Sequence, residues 1–188
     1  MTTTEPIRSR KDMKRLVGYY YCRGELRNYL LVVLGLSTAL RISDLLRLRW
    51  EDLIEEDEEV RRYLIVTEKK TGKTRPIRLN EKVRKAIARC YPQRRSEYLF
   101  SNGRKNEKPI SRQQAWRILC QAYEALKIEG RIGCHGLRKT LGYHASKAKT
   151  PQAVLMEIYR HSSWAVTKRY LGITQDEIDA VYLKVPLF

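Results

Sequence analysis

His135-Gly-Leu-Arg-Lys-Thr140 and, further on, Arg160-His-Ser-Ser-Trp-Ala-Val-Thr-Lys-Arg-Tyr170 hold the densest chemistry in the chain. All three histidines, His135, His144 and His161, fall within 27 residues, beside Arg138, Lys139, Lys147, Lys149, Arg160, Lys168 and Arg169, with Glu157 the one acid of that stretch. His135 and Arg138 stand one helical turn apart. They can address the same phosphate, one as hydrogen-bond donor or base and the other as a bidentate cation. In the second segment Ser162 or Ser163 can cap a short helix, which carries Tyr170 about two turns beyond His161. Taken singly, a His/Arg pair or one tyrosine among twelve is an ordinary surface or packing feature.

A third element, Leu36-Ser-Thr-Ala-Leu-Arg41-Ile-Ser-Asp44-Leu-Leu46, sets Arg41 just before a helix start. There its guanidinium can face an oxyanion, or pair with Asp44 on the surface. The chain's 38 Lys+Arg against 21 Asp+Glu give a net charge of +17 over 188 residues, so a polyanion is the expected partner. Seven of the acids crowd into Glu51–Glu59, which makes the remainder more basic still. That acidic run lacks the alternating oxygen ligands and central glycine of a calcium loop and reads as a solvated turn. Cys22, Cys90, Cys120 and Cys134 show neither zinc spacing nor a CxxC pair. The longest apolar run, Tyr29–Leu36, is too short to span a bilayer, and the start lacks the order of a secretory signal. A cytoplasmic protein without a membrane partner is expected.

Hydrophobic spacing predicts a mainly α fold with a small antiparallel β-sheet (α+β). Ser9 caps a helix through about Cys22, and Glu25–Leu36 forms a second, central one. Ser43 is the expected N-cap of a short helix with Leu45, Leu46 and Leu48 inward. Arg62–Thr67 and Thr74–Leu79 alternate as strands joined by a Lys/Gly turn, with Pro76 placing the second on an edge. Asn80 and Ser111 cap helices running to about Cys90 and Lys127, and further helices follow at about 136–148, 151–159, 163–170 and 174–183.

In this order the elements resemble the tyrosine recombinase (phage integrase) family, over roughly Arg10–Tyr182. Leu36–Leu46 is similar to that family's first-arginine box, Lys70-Thr-Gly-Lys73 to its β-hairpin lysine, His135–Thr140 to its HxLRxT box and Arg160-His-Ser-Ser163 to its LGHSS box. Two departures stand out: Ala39 where the family usually has Gly, and Tyr159-Arg160 where it has Leu-Gly. The resemblance implies Arg41, Lys70, His135, Arg138, His161 and Tyr170 as catalytic residues. Arg41 and Arg138 would clamp the non-bridging oxygens, the histidines would add hydrogen bonds and move a proton, Lys70 would protonate the leaving 5′ oxygen, and Tyr170 would attack phosphorus. Neighbouring cations would offset the roughly 4 kcal/mol cost of ionising a phenol of pKa about 10 at pH 7.

The resemblance further implies double-stranded DNA as partner, no metal, ATP or other cofactor, a monomer in solution and a homotetramer on DNA, with any accessory protein unspecified. Residues 1–188 read as one catalytic domain, with 1–9 an N-terminal arm and 171–188 a tail able to dock on a neighbouring protomer. The family's usual N-terminal DNA-clamping domain is not represented, so weak, salt-sensitive DNA binding is expected. Two other readings compete. Glu68-Lys69-Lys70, with Asp57 upstream, fits the ExK element of a metal-dependent nuclease, and Ala39–Trp50 imitates the second helix of a helix-turn-helix regulator.

Overall fold

A computed structural model describes residues 4–69, 72–104, 107–130, 133–171 and 183. Its helices are α1 (Arg10–Cys22), α2 (Leu26–Ser37), α3 (Ile42–Leu45), α4 (Glu81–Cys90), α5 (Arg112–Leu126), α6 (Cys134–Lys147), α7 (Gln152–Tyr159) and α8 (Trp164–Leu171), and its strands are β1 (Tyr63–Thr67) and β2 (Thr74–Arg78). The expected helix at 174–183 lies outside the described residues. Among those residues no helix is long and apolar enough to cross a membrane.

Local capping explains three of the helix starts. The side chains of Ser9, Asn80 and Ser111 accept from the backbone N–H of Asp12, Val83 and Gln114, and satisfy donors that a helix start leaves unpaired. The expected Ser43 cap is corrected: Arg41, in extended conformation, is the N-cap, and Ser43 lies inside α3. Leu45, Leu46 and Leu48 are buried as expected. Helix α2 is central because it is apolar on more than one face, burying Leu30, Leu31, Val32 and Leu34, and α1, α4 and α6 all pack on it. Gly35 permits the α6 approach, since a Cβ there would lie 2.6 Å from Leu137 Cδ1.

The strands pair antiparallel, with Tyr63 opposite Arg78 and Thr67 opposite Thr74. Alternation turns Leu64, Val66 and Arg75 inward. The acidic run is solvated at Glu51 and from Glu55 to Glu59, as its composition suggests. The segment before α1 lies along α6. Ile7 N–H donates to Thr140 Oγ1 at 2.9 Å, Ile7 O lies 3.0 Å from His144 Nε2, and Lys139 Nζ donates to Thr4 O at 2.8 Å. His144 is thereby occupied in fastening this arm. A small second core, Ala39, Leu155, Tyr159 and Leu171, joins the start of the α3 turn to α7 and α8.

Candidate active site

Arg138 anchors the site. It projects from the first turns of α6 and is only 3% exposed. One Nη donates to Ala39 O, and the other donates to Tyr159 O at 3.2 Å. A guanidinium has a fixed fork of donors, so two backbone carbonyls, one from the turn before α3 and one from the end of α7, hold it in one orientation. Tyr159 completes the support: its hydroxyl donates to Arg138 O at 2.7 Å, and the Arg138 guanidinium carbon lies 5.0 Å from its ring centre.

Both supporting carbonyls sit beside left-handed backbone. Ala39 has φ 54° and Arg160 has φ 55°, the two positions at which the sequence departs from the glycine of the resembled motifs. The backbone geometry survives the substitutions, at a cost of about 1 kcal/mol for each non-glycine residue. Arg160→Gly should therefore stabilise the protein by about 1 kcal/mol, because the Arg160–Glu157 pair at 3.7 Å is a weak surface contact. A lower midpoint in urea for this variant would contradict the strain assignment.

Tyr170 lies on α8, with its ring centre 5.1 Å from the rings of both His161 and Tyr159 and 5.9 Å from the Arg138 guanidinium carbon. Its Oη is buried and has no hydrogen-bond partner among the described residues. Burial raises its pKa; Arg138 and Arg41 pull it down without overcoming that effect. The expectation that surrounding cations favour the phenolate is thus corrected for the DNA-free protein, in which desolvation outweighs them.

His161 follows the left-handed turn after α7, and its Nδ1 lies 3.1 Å from Thr167 Oγ1. Thr167 is fully buried, and its hydroxyl donates to Ser163 O at 3.3 Å. With that hydrogen committed, Oγ1 accepts from Nδ1–H, which leaves Nε2 as the functional nitrogen of neutral His161. Burial, then Arg138 and Arg41, lower the His161 pKa. His135 stands at the solvent-reached start of α6; desolvation of its ring, then Arg138, Lys139 and Arg41, lower its pKa too. Thr167→Val should cut the rate of a His161-dependent step about 10-fold and move the limb it governs to lower pH, while Thr167→Ser should restore both. An unchanged pH profile in the valine variant would refute this tautomer.

Arg41 does not pair with Asp44. Its Nη1 donates to Glu68 Oε2, while Asp44 Oδ1 accepts from Lys69 N–H at 3.1 Å. Glu68 is fully buried, and its other oxygen lies 3.2 Å from Arg75 Nε. Two guanidiniums therefore face the carboxylate that a nuclease ExK element would offer to a metal. The helix-turn-helix reading meets a different obstacle, since Ala39–Trp50 contains only the four-residue α3 with Ala39, Leu40, Ile42 and Leu45 buried.

Arg41, His135, Arg138, His161 and Tyr170 thus share one electrostatic neighbourhood, and Lys70 lies outside the described residues. Such a cluster can bind a phosphodiester, hold a protonated phenol beside an imidazole and stabilise added negative charge. Reading the sequence missed four contributors: Glu68 as an arginine partner, Arg75, Tyr159 and Thr167. Glu68 continues the inward phase of Leu64 and Val66, so period-2 alternation marked it as buried. Thr167 and Leu171 share the inner face of α8, a signal available from helical spacing.

Comparison with known proteins gives the chain's family and fold. A family model described as the phage integrase family matches residues 9–177. Probable integrase/recombinase YoeC of Bacillus subtilis (strain 168) is 39% identical over 183 residues, covering 97% of each chain. Tyrosine recombinase XerD of Corynebacterium glutamicum is 30% identical over 168 residues, which are 84% of this chain and 52% of the relative. The present chain thus spans about half of that second relative. Among solved structures, XerA recombinase superposes with a TM-score of 0.76 at 19% identity, covering 100% of this chain and 66% of the other. XerH site-specific recombinase, bound to palindromic difH substrate in a post-cleavage complex, gives 0.75 at 13% identity, covering 98% and 54%. These two structural likenesses establish the fold.

Proposed function

Since the chain belongs to the phage integrase family, we propose that it is a site-specific DNA recombinase that opens and rejoins strands through a 3′-phosphotyrosine at Tyr170. The observation that carries this reading is the packing of Tyr170 against His161 within reach of Arg138, whose guanidinium is fixed by two backbone carbonyls. Arg41 and Arg138 bind the non-bridging oxygens of the scissile phosphate and stabilise the pentacoordinate transition state, each such contact contributing about 3 kcal/mol. His135 donates a hydrogen bond to the same phosphate. His161 Nε2 takes the phenol proton as Tyr170 Oη attacks phosphorus.

The P–O bond to the 5′ oxygen breaks as the new O–P bond forms, and Lys70 supplies the proton to the departing hydroxyl. The phosphotyrosine retains the phosphodiester's free energy, so attack by an incoming 5′ hydroxyl reverses the step without ATP. Neither metal nor cofactor enters these steps. Residues 1–188 act as one catalytic domain on double-stranded DNA, and four copies pair two duplexes, with the 171–188 tail docking on a neighbour.

The test uses a pool of nicked duplexes with randomised arms, in which the short fragment beyond the cut diffuses away and prevents rejoining. Incubation in excess EDTA should yield a slow, protease-sensitive band in SDS, and mass spectrometry should place the nucleotide remnant on the peptide containing Tyr170. A pool that yields no such band, or a band that requires a divalent metal, overturns the reading.

A further inference from the structure

Glu68 is a fully buried acid in a site built to receive an anion. Its side chain meets Arg41 through Oε2 and Arg75 Nε through Oε1, and Arg75 Nη1 continues to Ile158 O at 2.9 Å, just before the His161 turn. Its backbone closes the hairpin connection: Glu68 N–H donates to Lys73 O at 3.1 Å, and Gly72 N–H donates to Glu68 O at 2.8 Å. Asp44, three residues after Arg41, holds the next N–H of the hairpin. One residue therefore joins the Arg41 turn, the hairpin and, through Arg75, the end of α7.

We propose that Glu68 is the positioning residue of Arg41: it holds one nitrogen of the guanidinium so that the remaining donors of the fork meet the scissile phosphate. The planar fork allows this division, because a guanidinium can keep a carboxylate on one edge and bind an oxyanion with another. Burial alone would push the Glu68 carboxyl upward, but the Arg41 hydrogen bond and the charges of Arg41, Arg75 and Arg138 hold it below the usual carboxylate range. Glu68 thus stays ionised at neutral pH. The opposite role, a stand-in anion that must leave before phosphate can bind, predicts the opposite phenotype, and the same variants distinguish the two.

This proposal rests on the recombinase reading, and wild-type protein is the control for it. The probe is a duplex recovered from the nicked pool described above. Glu68→Gln removes the charge while keeping the shape. The double variant Glu68→Leu/Arg75→Leu removes the Glu68–Arg75 pair together, so that Arg75 is not left buried without its carboxylate, and Arg41 is the one guanidinium that loses its partner. Single-turnover adduct formation should slow ~10–100-fold in both, as expected for a transition-state group displaced by about 1 Å. DNA affinity should stay within about two-fold of wild type, a margin of ~0.4 kcal/mol. A double variant that unfolds like wild type and forms adduct at the wild-type rate would overturn the proposal, as would tighter DNA binding with undiminished cleavage, the mark of a stand-in anion. Wild-type protein that forms no adduct would overturn the recombinase reading itself and remove the ground for assigning Glu68.

Discussion

Tyr170→Phe is expected to bind DNA as wild type does, to form no SDS-resistant adduct, and to unfold at a higher temperature. The first two results follow from the proposed chemistry: the phenolic oxygen is the nucleophile, and the other tyrosine packed against both His161 and the Arg138 guanidinium, Tyr159, spends its hydroxyl on Arg138 O. Loss should exceed ~10³-fold, because hydrolysis by unpositioned water forfeits both proximity and the leaving-group relay. The third result comes from packing. Oη is buried without a hydrogen-bond partner, and such a group costs about 1–3 kcal/mol. Phenylalanine keeps the ring contacts with His161 and Tyr159 and removes that cost. A tyrosine that served only to pack would not be coupled to adduct formation, and one already hydrogen-bonded would lose stability on substitution. Calorimetry and an SDS gel on the same sample separate these cases.

Arg138→Lys should fail in both respects. A lysine ammonium cannot span Ala39 O and Tyr159 O with the guanidinium's rigid fork. At least one buried carbonyl then loses a charge-assisted partner, at about 1.5–3 kcal/mol, and the displaced cation no longer sits where charge develops. Adduct formation should fall ~10²–10³-fold, with a stability loss of about 2–3 kcal/mol visible in urea unfolding. Retained stability with lost cleavage would mean that the two carbonyl contacts add nothing to the fold. Full cleavage would remove Arg138 from the catalytic set. The contrast with Tyr170→Phe is useful, since one variant gains stability and the other loses it while both lose the reaction.

A raised phenol pKa in the free protein also gives a physical reason for restraint before DNA arrives. Tyr170 is protonated and desolvated, and both histidines are biased toward their neutral forms by partial desolvation of their rings and by neighbouring cations. In the proposed reaction a bound phosphate brings negative charge into this neighbourhood, which makes His135 a better donor and neutral His161 a stronger base toward the phenol proton. It also offsets arginine charge that would otherwise favour the phenolate, so in the proposed reaction deprotonation accompanies attack at phosphorus rather than preceding it.

Much of this was legible along the chain. Helix starts at Ser9, Asn80 and Ser111 are local capping chemistry, and strand alternation from Tyr63 to Thr67 is local sterics; both depend on neighbours a few residues away. The motif residues were legible too, because a phosphate site needs cations, imidazoles and a nucleophile whose order and spacing are written in one dimension. Ser43 misled because a good capping side chain is only a preference, and the buried turn at Ala39–Leu40 brought the chain into α3 two residues early. By itself, then, the sequence determined the described elements and their polarity and nominated the reactive groups. Only the tertiary structure decided who holds whom: Arg41 with Glu68 instead of Asp44, Arg138 with the carbonyls of Ala39 and Tyr159, His161 with Thr167, and a phenol made less acidic despite its cationic company. Ion-pair choice and desolvation depend on distances through space and on excluded water, and neither quantity exists until the chain has folded.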